Sequence, residues 1–305
     1  MTVAGQKHRD DYKPTQDRTR SQSAGARPEQ PTGKHASLPT LDVLYTSRTL
    51  IAVNKPAGIL VHGDGTGTPT LTDAVRTLLA LRDTSNDSGS CDENPRNPDN
   101  THCSHDTGSS TSTSATAHII HPAGAHSFEE TQALQRLDRD TSGIVLLSLC
   151  KETQPAYDRL IAERQIEKHY LAIVAGKFPE GRTTFTGPIG RDRHDARRMR
   201  VSKTGKPAHT EVQLIKTWRK DGKQYSLLKV HILTGRKHQI RVHLSHAGFP
   251  IVGDALYGHP DPRGLMLHAV HLAFTDPITG EAVTIEAPMP RRFQACGLIS
   301  RDATA

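Results

Sequence analysis

Apolar positions along the chain fall into short blocks separated by polar stretches. Leu41–Tyr45 and Leu50–Asn54 read as strands, the second broken by the Lys55-Pro56 step. Ile59–His62 is expected to extend that strand system. In Thr70–Arg82, Leu71, Ala74, Val75, Leu78 and Leu79 fall on one stripe, which predicts an amphipathic helix with Thr70 as its cap. Ile144–Leu149 is a continuous apolar run and predicts a buried strand. Pro155–Arg164 predicts a helix with proline in its first turn and Ala156, Leu160 and Ile161 facing inward. Ile166–Ala175, Thr183–Ile189, His209–Thr217, Tyr225–Leu233, Met266–Phe274 and Ala282–Glu286 predict further strands. His238–Ala247 predicts a helix closed by Gly248. Many strands with few helices, mostly hairpin-linked, point to the α+β class on a mainly antiparallel sheet.

Two long segments carry no such pattern. Residues 1–40 have almost no apolar positions, and residues 82–127 are rich in Ser, Thr, Asp, Asn, Gly and His. Neither buries enough apolar surface to offset the entropy of ordering, so both are expected to be disordered. The organisation expected is a basic tail over 1–40, a catalytic domain over 41–293 interrupted by an acidic insertion at 82–127, and a C-terminal tail over 294–305. Long insertions are tolerated where their ends lie close, because closure entropy grows slowly with length.

Charge sharpens this division. The net charge of the chain is +7, to which residues 1–40 contribute +3 and residues 82–127 contribute −4, leaving +8 for the remainder. A basic body suits a polyanionic partner. No apolar run approaches the roughly 20 residues that span a bilayer, and the N-terminal residues hold no apolar signal core. Cys91, Cys103, Cys150 and Cys296 show no compact pairing pattern. A cytoplasmic, monomeric protein with reduced thiols and no membrane contact is expected. Cys91, His102, Cys103, His105, His118 and His121 match no standard zinc spacing, and His231, His243, His246, His268 and His271 are expected to pack or hydrogen-bond within the fold. No metal and no cofactor are expected.

The candidate chemistry lies in Gln135-Arg136-Leu137-Asp138-Arg139-Asp140-Thr141-Ser142-Gly143, at the mouth of the Ile144 run. It sets the Asp138 carboxylate between two arginines, and cations beside an acid favour its charged form. Thr141, Ser142 and Gly143 supply turn chemistry. An ionised, positioned Asp is a nucleophile or a general base. The same residues also fit an Asx-turn with solvated charges.

These residues resemble the signature of the RluA-type pseudouridine synthases, His-Arg-Leu-Asp-x-x-Thr-Ser-Gly. Further segments follow in the family's order: Asn54-Lys55-Pro56-Ala57-Gly58 with Val61-His62-Gly63, Lys168–Gly176, Thr234–His243, Gly253–Gly258 and Leu267-His268-Ala269. Gln135 stands where the family has His, and Lys237 where Thr is usual. The resemblance covers about residues 41–81 and 128–293, and is nearest to the branch acting on large-subunit ribosomal RNA. It implies one long mixed sheet with flanking helices and a central cleft. Residues 1–40 are too short and too polar to be the small RNA-binding domain that many members carry.

The activity implied is isomerisation of chosen uridines to pseudouridine in large-subunit ribosomal RNA. Transfer RNA is the alternative substrate, and a non-catalytic RNA-binding assembly protein the alternative class. By the same resemblance Asp138 is the nucleophile, Arg241 its ion-pair partner, and Tyr170 a ring that holds the detached uracil. Asp140, the obvious rival, is assigned a loop role. Arg136 is expected to fill the gap left by a flipped nucleotide or to contact phosphate. Arg236, Lys237 and His238 open the last predicted helix, where backbone N–H groups suit phosphate. Lys55 either contacts RNA or braces the Asp138 loop.

Overall fold

The computed structural model describes residues 41–86 and 128–297. The basic tail, most of the insertion with its Cys and His residues, and residues 298–305 lie outside them.

The first hairpin pairs β1 (Asp42–Thr46) with β2 (Leu50–Lys55). Its turn is tied by Ser47 Oγ, which accepts from the backbone N–H of Thr49 and Leu50. Ile59–His62 forms no strand. Leu60 and Val61 instead offer their carbonyls to the N–H groups of Leu71 and Thr72, at the start of helix α1 (Leu71–Asn86). Thr70 and Asp73 cap that helix reciprocally: Thr70 Oγ accepts from the Asp73 N–H, and Asp73 Oδ2 accepts from the Thr70 N–H. The helix runs four residues beyond its expected end, because no Gly or Pro stands between Arg82 and Asn86 to stop propagation.

A single 3-10 turn at Phe128–Glu130 leads into β3 (Gln132–Ala133) and the wholly buried β4 (Ser142–Ser148). Then come α2 (Gln154–Ala162), β5 (Glu167–Ala175), β6 (Arg182–Phe185), β7 (Ile189–Arg191) and β8 (Met199–Val201). The single strand expected at Thr183–Ile189 is two. Pro188 has no N–H to give a ladder, and Gly187 passes so close to Val201 that a Cβ would sit 2.9 Å from its Cγ1. β9 (Thr210–Lys220) and β10 (Lys223–Ile232) are joined through Asp221-Gly222, both with positive φ as tight hairpin turns require. Helix α3 (Gln239–His246) ends at Gly248 in the left-handed region, followed by β11 (Leu267–Thr275) and β12 (Ala282–Glu286). Helix α4 (Arg291–Ala295) corrects the start of the expected tail: Cys296 is buried and its carbonyl accepts the Trp218 indole N–H.

The main sheet runs β1-β2-β4-β11-β5-β10-β9-β6, with β12 on β11 and β3 on β4, while β7 and β8 pair separately. All pairs are antiparallel except β4 with β11. The chain is therefore α+β on a mixed, mainly antiparallel sheet. Burial on both faces explains the continuous apolar runs Leu50–Val53 of β2 and Ile144–Leu147 of β4. Ile51, Val53, Val145 and Leu147 pack in one cluster with Leu71 and Val75 of α1. Leu50, Ala52, Ile144 and Leu146 pack in another with Tyr157 and Leu160 of α2. Among the described residues, no helix is long and apolar enough to cross a membrane.

Candidate active site

The Asp138 loop enters β4 through Thr141-Ser142-Gly143, and each of these residues has a structural task. The Thr141 N–H closes a turn on the Asp138 carbonyl at 3.1 Å. Ser142 Oγ lies 2.8 Å from His268 Nδ1 on β11 and also accepts from Arg292 of α4. The His268 ring is neutral: burial, followed by the charge of Arg292, pushes it down to about 4. Gly143 has φ +114, and a Cβ there would meet the Ala269 carbonyl oxygen at 2.1 Å, so only glycine permits the parallel approach of β4 and β11. Gln135 donates its side-chain amide to the Ile144 carbonyl at 3.2 Å, and so anchors the loop's first residue to its last strand.

Lys55 corrects the expectation of RNA contact. The residue is 0% exposed, and its ammonium donates to the carbonyls of Pro56, Ile59 and Arg139 at 2.8–2.9 Å. Three donors meet three acceptors, so burial is tolerated even though it pushes the group down to about 8, against the charges of Asp140 and Asp138. The Gly58 N–H joins the same Arg139 carbonyl at 2.8 Å. Lys55 is a brace behind the loop.

Arg241 comes from α3, 103 residues away in sequence. Its Nη1 donates to Asp138 Oδ2 at 3.0 Å. The other edge of the same guanidinium donates Nε and Nη2 to the two oxygens of Asp254, both at 2.8 Å. Asp254 is 1% exposed, and its Oδ1 also accepts the N–H groups of Leu256 and Tyr257. This bidentate clasp fixes the plane of Arg241 and leaves one N–H edge for Asp138. Burial works against the arginine's charge, but the bonds and charge of Asp254 and the charge of Asp138 outweigh it and raise its pKa. Asp138 itself keeps a side-chain exposure of 23%, so its carboxylate is held from behind and open in front.

His238 is the second correction. Its side chain is 9% exposed and unavailable to a phosphate. Its Nδ1 is 2.7 Å from the Tyr257 hydroxyl, which already accepts the Met199 N–H at 2.7 Å. The hydroxyl proton therefore points to Nδ1, and the Nε2–H faces Asp138 Oδ1 at 3.8 Å. Burial keeps this imidazole below its ordinary pKa despite the charge of Asp138. At the opening of α3 the Arg236 N–H is taken, donating to Gln239 Oε1, and the Arg236 side chain donates to the Pro207 carbonyl. Lys237 is exposed.

Tyr170 on β5 is buried, with 8% exposure. Burial, with the charge of Asp138 added, raises its phenol well above the ordinary value, so it stands protonated beside the carboxylate. Arg136 is exposed, and its charge reaches His62 in the Val61-His62-Gly63 turn. The structure thus gathers Asp138, Arg241, Tyr170 and His238, and separates Lys55 from the surface. Sequence reasoning missed Asp254 and Tyr257 as members of the cluster. Their signal was the Gly253–Gly258 stretch itself, where an acid and an aromatic share one turn. His231 and His271 do hydrogen-bond or ion-pair as expected, to Glu211 and Glu286, and His243 bonds Thr210 and the Gly187 carbonyl.

Residues 49–246 match the family model described as RNA pseudouridylate synthase. An uncharacterized RNA pseudouridine synthase of Bacillus subtilis, YlyB, is 31% identical over 256 residues, covering 82% of this chain and 69% of that protein. One from Chloroflexus aurantiacus is 41% identical over 165 residues, covering 53% of this chain and 51% of its own length. A ribosomal large subunit pseudouridine synthase D of Neisseria meningitidis is 33% identical over 271 residues, covering 82% of this chain and 58% of its own length. The chain therefore spans between about half and 69% of these relatives. Among solved structures, human RNA pseudouridylate synthase domain containing 1 superposes with a TM-score of 0.60 at 25% identity, covering 84% of this chain and 86% of that one.

Proposed function

The chain belongs to the RNA pseudouridylate synthase family, and we propose that it isomerises uridines of large-subunit ribosomal RNA to pseudouridine with Asp138 as the nucleophile. The observation that carries this reading is the Asp138–Arg241–Asp254 relay, in which a buried guanidinium is fixed on one edge and offers its other edge to a partly exposed carboxylate.

The chemistry needs such a group. The bond between uracil N1 and ribose C1′ breaks, C5 of the turned base bonds to C1′, the C5 proton leaves, and the freed N1 takes up a proton, so the product is an isomer. Positive character passes through C1′ as in glycoside cleavage, and an adjacent carboxylate stabilises or bonds it. Arg241 holds that carboxylate in one orientation before substrate arrives, so little reorganisation remains for the reaction. Tyr170, with its phenol kept protonated, contributes its ring as a platform for the detached uracil. The neutral His238 donor stands on the far side of the carboxylate. Arg136, Lys237 and Arg236 supply positive charge around the loop for the RNA backbone. The ribosomal substrate is supported by the name of the Neisseria relative and by the basic body of this chain.

Asp138→Asn is the direct test. Incubated with unmodified large-subunit ribosomal RNA, it should lose pseudouridine formation by on the order of 10³-fold or more, while still binding the RNA. Wild-type turnover by this variant would remove Asp138 from the mechanism. Mapping pseudouridines in RNA from cells lacking the protein tests the substrate separately: sites missing from transfer RNA alone would replace the ribosomal assignment and leave the chemistry standing.

A further inference from the structure

One row of side chains crosses five strands of the main sheet. In register, Glu286 of β12 faces His271 of β11, His271 faces His169 of β5, His169 faces His231 of β10, and His231 faces Glu211 of β9. Register partners project to the same side of a sheet from strands about 4.8 Å apart. The three imidazoles are accordingly neighbours, with ring centroids 4.8 Å apart for His169 and His231, and 5.2 Å apart for His169 and His271. Successive residues of a strand face opposite ways, so this row lies on the other face from Tyr170.

Each imidazole already has a carboxylate on one nitrogen. Glu167, two residues before His169 on the same strand, meets His169 Nε2 at 2.6 Å. Glu286 meets His271 Nδ1, and Glu211 meets His231 Nδ1 at 3.3 Å. Glu286 behind His271 and Glu211 behind His231 fix those tautomers and strengthen the opposite nitrogens as ligands, an arrangement recurrent around metals, whereas Glu167 stands beside His169 as a donor in its own right. One nitrogen has nothing to bond: His169 Nδ1 is buried without a hydrogen-bond partner among the described residues.

We propose that Glu167, His169 and His271 bind one divalent first-row transition ion, with Zn²⁺ the best match. One donor atom from each residue lies within 4.8 Å of the other two. Ligands of a tetrahedral zinc stand about 3.3 Å apart, given metal–nitrogen bonds of about 2.0 Å, so modest side-chain rotation closes the site. Imidazole with carboxylate selects zinc-like ions over calcium or magnesium, which take oxygen shells. The fourth position is left to water or to His231. The ion ties β5 to β11 on the face away from the Asp138 loop, so its place is to fix the sheet and not to enter the reaction. This assigns His271 a role beyond the packing and hydrogen bonding its sequence context predicts.

The test uses the full chain, stripped with EDTA and titrated with zinc sulfate against a chromogenic chelator, with the bound metal counted after gel filtration. Histidines and cysteines of the insertion can also take up zinc, so the readout is the difference between variants. Wild type should hold one more Zn²⁺ per chain than His271→Gln or Glu167→Gln. Glu286→Gln, which removes only the carboxylate behind His271, should weaken that ion by about 10–100-fold. Zinc should raise the unfolding midpoint of wild type more than that of His271→Gln. Equal zinc counts and affinities in wild type, His271→Gln and Glu167→Gln would overturn the site. If His271→Gln does not fold, Glu167→Gln decides alone, since its side chain is 53% exposed and its loss leaves the core intact.

Discussion

The two sides of the Asp138 loop use the same residue types for opposite ends. On the inner side, Lys55, Arg241 and Asp254 are at most 5% exposed, and their charged groups are bonded to fixed partners. On the outer side, Arg136 and Arg139 are exposed, and the Arg139–Asp140 pair, at 3.2 Å, has side chains 63% and 47% exposed. Breaking a buried pair typically costs 3–5 kcal/mol, because the surviving charge is stranded. An exposed pair contributes about 0–1 kcal/mol and yields to salt. The inner charges therefore set geometry, while the outer ones remain free to exchange solvent for a polyanion.

Asp254→Ala should break this contrast most severely. It removes two of the three bonds that Arg241 makes to carboxylates and leaves a buried guanidinium with Asp138 alone. The expected outcome is a loss of about 3–5 kcal/mol in urea unfolding, together with a fall in pseudouridine formation of at least about 100-fold in the fraction that stays folded. Unchanged turnover would mean that Asp138 does not depend on an oriented arginine, and the inner side would then be scaffold only.

Lys55→Met comes next and sharpens the contrast through pH. Three carbonyls lose their donor, at a cost of about 3 kcal/mol. The lysine titrates near 8 in the fold against an ordinary 10.5. Between those values the unfolded chain binds more protons than the native one, so this group's contribution to stability rises with pH there, by up to about 1.4 kcal/mol per unit. Below pH 8 both states are protonated and the contribution is flat. The stability margin of wild type over Lys55→Met should therefore widen from pH 8 to pH 10 and stay constant from pH 6 to pH 7.5. A margin that stays flat from pH 8 to pH 10 would show that the buried ammonium keeps its proton and that the three carbonyls dominate its burial.

The inner side was the harder one to read from sequence. Asp138 and Arg241 were legible because a motif series placed both, yet spacing alone says nothing about two residues 103 apart. Asp254 follows a glycine and reads as a turn acid; only the folded chain shows Arg241 inside its reach. Lys55 stayed open between RNA contact and a brace because lysines are seldom fully buried, and its three carbonyl acceptors come from segments brought together by the fold. Strand blocks were legible from periodicity, since burial of both faces of β2 and β4 demands continuous apolar runs. Register was not: residues 169, 231, 271 and 286 share a row only after four strands have paired, and no local pattern encodes that.

The smallest effect belongs to the outer side. Asp140 lies two residues from Asp138 and carries the same carboxylate, so proximity in sequence makes it the natural rival for the chemistry. Its surroundings differ in every respect that matters. Its side chain is about half exposed, its ion-pair partner is the adjacent, still more exposed Arg139, and Arg241 gives all its carboxylate bonds to Asp138 and Asp254. A carboxylate so placed has no fixed direction, and a nucleophile without direction forfeits most of the advantage of proximity. Asp140→Asn should therefore change turnover less than about threefold and stability by under about 1 kcal/mol. Because it removes a negative charge beside the exposed arginines, it should slightly tighten RNA binding at low salt and lose that gain as salt rises. Loss of turnover in Asp140→Asn, with turnover retained in Asp138→Asn, would exchange the two residues and make the exposed side of the loop the catalytic one.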